Sequence, residues 1–251
     1  MAFSIRWLGH SAFHLITEAG THIYLDPWIE GNPACPVALE SIEQADIVCV
    51  SHGHFDHFGN SFDLVRRLGG KLICSPEMAW YADKRGIPRE KASAPLDLGG
   101  TVSERDVEIT MVQAVHLSEL YGEEWVSEHE FRPGGGACGY VLRSAGGTCI
   151  YFAGDTALFS DMKLIAELYQ PGVAMLPIGG KFTMGPREAA IAAQWLQSPV
   201  LIPMHVNTYP SLRQDVPAFA ARVAAVAPQT AVINMRPGET ILLPYAATQV
   251  G

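Results

Sequence analysis

No run in this 251-residue chain approaches the roughly 18 to 20 consecutive apolar residues that a membrane-spanning helix needs, because Gly, Pro or a charge interrupts every candidate. A spanning protein is therefore not expected. A C-x-x-C pair is missing too. Cys35, Cys49, Cys74, Cys138 and Cys149 stand apart, three of them inside strand-like apolar runs, which points to small buried hydrophobes in a reducing cytoplasm rather than a disulfide framework. There is no cluster of Lys or Arg. With 17 basic against 26 acidic residues and a net charge of −9, the chain is poorly suited to nucleic acid, whereas a small anionic substrate held by one or two local cations is compatible with it. The opening "MAFSIRWLGHSAFHLI" has no basic stretch, no long apolar segment and no small-residue cleavage site, so no secretion signal is expected. Linkers, low-complexity segments and short-period repeats are also missing, and a hydrophobic content of 48% is enough for a substantial core. The expectation is one domain over residues 1–251.

What is present is a succession of short strand patterns, among them "FSIRWLG", "AFHLIT", "THIYLDP", "DIVCVS", "KLICSP", "VEITMVQAVH", "GYVLRS", "TCIYFAGD", "VAMLPIG", "VLIPMH" and "TAVINM". Helical patterns alternate with the later strands of each half. "NSFDLVRRLGG" has Phe62, Val65 and Leu68 on one face, "DMKLIAELYQPG" starts at Asp161, and "GPREAAIAAQWLQSP" opens on Pro186. "VPAFAARVAAVAP" supplies a last helix. Hairpins followed by strand and helix alternation predict an α/β chain of two packed sheets with helices outside, built from two similar halves joined near "RPGGGACG".

Three of the nine histidines and one aspartate fall within six residues of "VCVSHGHFDHFGN". The apolar strand "DIVCVS" ends immediately before His52, so the motif occupies a strand-to-helix loop, the place where sites are built. His52 and His54 can point the same way while the chain is extended. Asp56 and His57 are adjacent and converge only if the backbone turns, which suits two ligand sets aimed at two centres. Imidazole and carboxylate side chains held this close need a cation, and zinc, manganese and iron all accept such ligands. Three further strand patterns end in one candidate ligand each: "ITMVQAVH" in His116, "IYFAGD" in Asp155 and "VLIPMH" in His205.

"SHGHFDH", the isolated "AVH", "AGDT" and "PMHVNT" resemble the ordered ligand motifs of the metallo-β-lactamase superfamily, over essentially the whole chain. More narrowly, "WLGHSAFHL", "YLDPWIEGNP", "AGDTALFSDMKLIAELYQP", "LPIGGKFTMGP" and "IPMHVNT" resemble a bacterial and archaeal family of metal-dependent hydrolases related to ascorbate-phosphate lactonase. The resemblance implies a four-layer αββα sandwich with a metal site at the edge between the halves. It implies that His52, His54 and His116 hold one divalent ion, that Asp56, His57 and His205 hold another, and that Asp155 bridges them, with zinc as the first expectation and manganese or iron as alternatives. Asp26 in "YLDP" resembles the superfamily aspartate that orients a ligand histidine, although an aspartate before Pro27 also suits a plain turn. The reaction so implied is hydrolysis of a small ester, lactone, amide or phosphoester. Two metals about 3.5 to 4 Å apart share a bridging hydroxide, made by lowering the pKa of water from 15.7 toward about 7, and Asp56 and Asp155 accept or relay protons. No serine nucleophile is needed, since "GHSAF" lacks the final glycine of a G-x-S-x-G elbow.

Two other readings use the same site. A phosphodiesterase or nuclease is one, opposed for nucleic acid by the acidic charge. A di-iron redox protein is the other, opposed by His54, where such proteins resemble this motif but carry Glu, and by the lack of a flavin domain. Lys181 in "GGKFTMG" can bind a carboxylate or phosphate or be a solvated loop lysine, and Asn207 can donate to a developing oxyanion or cap a turn. His10 and Trp28 read as packing near the pocket. Residues 118–136 form a long loop that reads as a lid, a contact in a homo-oligomer or a solvated insertion.

Overall fold

Alternation sets the first hairpin. Phe3, Ile5 and Trp7 of β1 (Phe3–Trp7) and Phe13 and Leu15 of β2 (Phe13–Ile16) are buried on one face, leaving Arg6 and His14 on the other. The computed structural model describes residues 2–89, 93–120 and 132–244. The chain continues through β3 (His22–Leu25), β4 (Ile47–Cys49), β5 (Lys71–Cys74) and β6 (Ser93–Pro95). It then enters a second sheet with β7 (Thr101–Glu104) and β8 (Val107–Gln113), makes a small ribbon of β9 (Glu119–Leu120) and β10 (Arg132–Pro133), and resumes with β11 (Cys138–Ser144) and β12 (Cys149–Phe152). β13 (Val173–Pro177), β14 (Val200–Met204) and β15 (Ala231–Val232) complete that sheet, and β16 (Thr240–Leu243) returns to pair with β1.

The strand orders are β16-β1-β2-β3-β4-β5-β6 and β15-β14-β13-β12-β11-β8-β7. Each sheet has an antiparallel half made of hairpins and a parallel half made of helical crossovers, with β3 to β6 parallel in one and β12 to β15 parallel in the other. The parallel strands are buried on both faces, which is why "IVC", "VAMLP" and "VLIPM" read as continuous apolar runs rather than alternating ones.

The inner faces meet through Ile5, Phe13, Leu15 and Ile23 of the first sheet and Tyr140, Leu142, Ile150 and Phe152 of the second. The Tyr140 hydroxyl crosses between sheets to donate to the Val50 carbonyl at 2.7 Å. Outside the first sheet lie α1 (Phe55–Phe58), α2 (Ser61–Leu68) and α3 (Pro76–Lys84), with Phe62, Val65, Met78 and Ala82 against Val48, Leu72 and Cys74. Outside the second lie α4 (Met162–Tyr169), α5 (Pro186–Leu196) and α6 (Val216–Val226). Helix, sheet, sheet and helix make the four-layer αββα sandwich. Among the described residues no helix is long and apolar enough to cross a membrane.

Three expectations are corrected. The passage between halves lies at residues 96–100, between β6 and β7, and "RPGGGACG" leads instead from the ribbon into β11. β8 ends at Gln113, so His116 stands in the loop beyond it. There the Val115 amide leaves the sheet to donate to Thr156 Oγ1 at 3.0 Å, and the Val115 carbonyl accepts from Ala157. The second half of the histidine motif is helical, as α1, rather than loop. α3 adds a helix to those the sequence patterns predict, capped where Ser75 accepts from the Met78 amide and Pro76 follows.

The outward row Arg6, His14, Tyr24, in register across β1, β2 and β3, lines a cavity of about 280 Å³ beneath residues 37–44. His14 stacks on Tyr24 at 4.4 Å and lies 3.1 Å from His22. Burial, then His22 and Arg6, hold His14 down at about 4 against an ordinary 6.5. The folded state therefore binds this proton less well than the unfolded chain. The associated stability is intact above pH 6.5 and is lost as pH falls toward 4, by about 2 kcal/mol at pH 5. Urea unfolding at pH 8 and pH 5 should show His14→Gln losing about that much less between the two pH values than the native chain. Equal losses would remove His14 as the cause.

Candidate metal centre

Strands of both sheets end at one edge of the sandwich, and their following loops deliver the polar groups. β1 leads to His10, β3 to Asp26, β4 to His52 through His57, β8 to His116, β12 to Asp155 and β14 to His205. The two sheets are locked here: the Cys138 amide donates to the Ser51 carbonyl at 3.0 Å, and a Cβ at Gly154, whose φ is +60°, would lie 2.6 Å from the Cys138 carbonyl. His10, Asp26, His205 and Asn207 all have φ between 43° and 61°, a left-handed conformation that costs a non-glycine residue about 1 to 2 kcal/mol. Such strain concentrated at one edge is a mark of a functional site.

Two groups of ligand atoms converge, each within 4.8 Å: His52, His54 and His116 in one, and His10, Asp56, His57 and His205 in the other. Asp155 reaches members of both. Its Oδ1 lies 3.2 Å from His57 Nε2, and its Oδ2 lies 3.1 Å from His205 Nε2 and 3.7 Å from His116 Nε2. His52 Nε2, His57 Nε2, Asp155 Oδ1 and His205 Nδ1 are buried without a hydrogen-bond partner. Orphaned groups of this kind cost about 1 to 3 kcal/mol each unless something fills the space between them. Imidazole nitrogens and carboxylate oxygens turned on one another are a donor set for a divalent cation, so the residues fit a metal.

Around these atoms sits a supporting shell. Asp26 is buried and accepts from the Ser51 amide at 2.7 Å, from Ser51 Oγ at 2.5 Å and from His57 Nδ1 at 2.6 Å, so its carboxylate fixes which His57 nitrogen faces Asp155. His10 plays a comparable part for Asp56. Read in the sequence as packing, it is fully buried, with Nδ1 2.9 Å from Thr208 Oγ1 and Nε2 3.1 Å from Asp56 Oδ2. Its carbonyl also accepts from the His205 amide. The available signal was its place, since it follows a buried strand as the other histidines do.

Burial, then His205, holds His10 down at about 4. Burial opposes the Asp56 carboxylate, but the His10 hydrogen bond and the nearby His57 and His10 charges keep it at about 2. His52 is pushed well below the ordinary histidine range by burial and His57. His57 goes the other way: burial works against its charge, and Asp155 and Asp26 outweigh it. Asp155, despite burial, is held well below the carboxylate range by His205 and His57. The edge is thus a mutually compensated array of imidazole and carboxylate rather than a set of independent groups.

Lys181 and Asn207 join neither group. Lys181 is exposed with Nζ 5.0 Å from the Phe182 ring centre, and Asn207 Oδ1 accepts from the Gln214 amide at 2.9 Å within its own turn. Of the long loop, Ser118 Oγ accepts from the Gly53 amide and Ser75 Oγ donates to the Gly134 carbonyl, so the ribbon β9 and β10 is pinned beside the histidine motif. Residues 121–131, on which the lid reading falls, lie outside the described residues.

The family model described as Beta-lactamase superfamily domain matches residues 4–205. The UPF0173 metal-dependent hydrolase of Koribacter versatilis is 43% identical over 236 residues, 94% of this chain and 96% of that one. A UPF0173 metal-dependent hydrolase of Methanosphaera stadtmanae is 42% identical over 237 residues, 94% of this chain and 97% of its own. Among solved structures, Igni18, described as a novel metallo hydrolase from the archaeon Ignicoccus hospitalis, superposes with a TM-score of 0.82 at 32% identity, covering 98% of this chain and all of its own.

Proposed function

The chain belongs to the β-lactamase superfamily, among the UPF0173 metal-dependent hydrolases, and from that premise we propose that it is a dinuclear metallohydrolase acting on a small ester, lactone, amide or phosphoester. The observation that carries the proposal is the convergence of two ligand groups, each with its ligand atoms within 4.8 Å, on the buried Asp155 carboxylate, with His52 Nε2 buried among them without a hydrogen-bond partner. In it, His52, His54 and His116 hold one divalent ion and Asp56, His57 and His205 the other, Asp155 lies between, and zinc is the leading metal ahead of manganese or iron. Bound there, such ions supply a lowered water pKa and polarisation of the scissile carbonyl or phosphoryl oxygen.

The protein groups position the reaction. Asp26 holds His57 with Nδ1 engaged, and His10 holds Asp56 by one oxygen. Asp56, held by His10 through one oxygen, is a hydrogen-bond acceptor that orients the attacking water and receives its proton only transiently, because a carboxylate that also ligates a cation is a weak base. Asp155 acts with it from between the two groups. Lys181 and Asn207 are left out of the proposed machinery by their placement. The proposed setting is the cytoplasm, where the five free cysteines stay reduced.

Elemental analysis of the purified, reconstituted protein tests this, followed by a panel of esters, lactones, amides and phosphodiesters before and after chelation. About two metals per chain and hydrolysis that is lost with the metal and regained with it are the expected results. Fewer than one metal per chain would end the dinuclear reading.

A further inference from the structure

We propose that the cavity on the outer face of the first sheet, walled by Arg6, His14, His22 and Tyr24, is a binding site for a small tetrahedral oxyanion of the phosphate or sulfate kind. None of these walls belongs to the two ligand groups of the metal centre, so the inference stands apart from the hydrolase reading. The cavity holds about 280 Å³ and has a fixed frame. Its floor is the outward row of β1, β2 and β3, and residues 37–44 form its roof, which Arg67 of α2 pins by donating to the Leu39 and Ile42 carbonyls at 2.7 and 2.8 Å.

The charge around it is unbalanced, although the chain as a whole carries −9. Arg6 engages only Nε, with the Gly238 carbonyl at 3.3 Å, and among the described residues no carboxylate pairs with its guanidinium. Asp46 is already engaged by the His22 amide, Gln44 and Arg105, which leaves the exposed Glu43 as the carboxylate of the wall. Tyr24 is 4% exposed, and among the described residues its hydroxyl has no hydrogen-bond partner. Burial raises that hydroxyl to about 12 against the pull of Arg6 and Arg67, so it keeps a proton to donate. His14 and His22 add a donor whichever tautomer they adopt. His14 Nε2 and His22 Nδ1 share one proton across 3.1 Å, so one of the two rings carries its other N–H turned away from the pair. The same surroundings that hold His14 down at about 4, burial with His22 and Arg6, lack the opposite charge that an anion supplies. A divalent cation fits poorly, since Arg6 stands beside the imidazoles and, among the described residues, no group of three ligand donors includes His14 or His22. Donors from three strands suit an ion with oxygens in several directions, which a tetrahedral oxyanion has and a planar carboxylate lacks.

Sulfate titrated into the metal-loaded protein tests this, read by NMR at the Cε1 proton of His14 so that any sulfate at the metal centre is not counted. The His14 signal should shift saturably, and at saturating sulfate His14 should bind its proton about tenfold more tightly. Arg6→Gln should weaken sulfate binding about tenfold or more, and Tyr24→Phe about threefold. Lys163→Gln, which removes a positive charge from the exposed face of α4, should leave the affinity at its native value. Should Arg6→Gln not fold, Tyr24→Phe, which removes a single oxygen, carries the comparison. Acetate should bind about tenfold more weakly than sulfate. Inorganic phosphate and methyl phosphate then separate a free ion from an esterified one, and tighter binding of either supports the site and identifies its source. The site is overturned by the lack of a saturable change at His14, by native affinity in both Arg6→Gln and Tyr24→Phe, or by a loss in Lys163→Gln as large as theirs. Acetate binding as tightly as sulfate overturns the tetrahedral assignment.

Discussion

Asp155→Ala is expected to lower kcat/KM by about 10³-fold or more, equivalent to about 4 kcal/mol of lost transition-state stabilisation, with the fold retained. Among the described residues Asp155 is the carboxylate that reaches nitrogens of both ligand groups. Asp155 is buried, and its two oxygens lie within 3.7 Å of nitrogens from His57, His116 and His205, residues delivered by three different strand ends. Truncation leaves three imidazoles facing one another with nothing anionic between them, which opposes the accumulation of positive charge in the same space. Metal content should fall together with activity. Asp155→Asn keeps the shape and removes the charge, and it should lose nearly as much. Circular dichroism checks that the sandwich is intact. Full activity in either variant, at native metal content, would remove Asp155 from the centre.

The architecture was legible because buried parallel strands write themselves as uninterrupted apolar runs and amphipathic helices as spaced ones. "DIVCVS", "VAMLPIG" and "VLIPMH" lie in β4, β13 and β14 where the pattern puts them. Four-residue α1 is too short for a 3.6-residue period to register, so its helical turn was invisible inside a motif already striking for its histidines. The joint was misplaced because "RPGGGACG" is the more glycine-rich segment, whereas the actual passage uses the modest "LDLGG". In the site, strand ends announced His52, His116, Asp155 and His205 as candidates. His10 follows a strand as they do, but its role does not show in the sequence because its partner Asp56 lies 46 positions away, and neither does that of Ser51, whose bonds to Asp26 depend on two strands lying side by side. Side chains that touch a substrate are harder still. The sequence singles out Lys181 and Asn207 by chemistry and nearness, and it does not show that Lys181 stands over Phe182 or that Asn207 Oδ1 accepts from Gln214.

Asp26→Asn should weaken metal binding at the His57 half by about 10- to 100-fold, the range for losing a group that orients a ligand. The size of the effect follows from hydrogen-bond arithmetic. The Asp26 carboxylate accepts three bonds, from the Ser51 amide, Ser51 Oγ and His57 Nδ1, and an ionised carboxylate is acceptor-only. An asparagine has one acceptor oxygen and one NH₂. If its oxygen keeps the Ser51 amide, the NH₂ faces His57 Nδ1, which must then accept, and the imidazole proton moves to Nε2, the nitrogen that should face the metal. If the amide flips, the Ser51 N–H meets a donor instead and the β4 end is disturbed. In the first orientation His57 loses its fixed tautomer, and in the second it keeps it at the expense of the Ser51 backbone bond; His52 feels the change at second hand, through Ser51 Oγ, which lies 3.0 Å from its Nδ1. Titration of metal-free protein should therefore show one equivalent retained near native affinity and the second weakened, a split that uniform destabilisation would not produce. Ser51→Ala removes the hydroxyl that donates to Asp26 and lies 3.0 Å from His52 Nδ1 but leaves the Asp26–His57 bond, and should be milder, leaving both equivalents measurable. Loss of both equivalents together in Asp26→Asn would mean that Asp26 supports the whole edge rather than His57, and two equivalents at native affinity would return it to the role of a turn residue before Pro27.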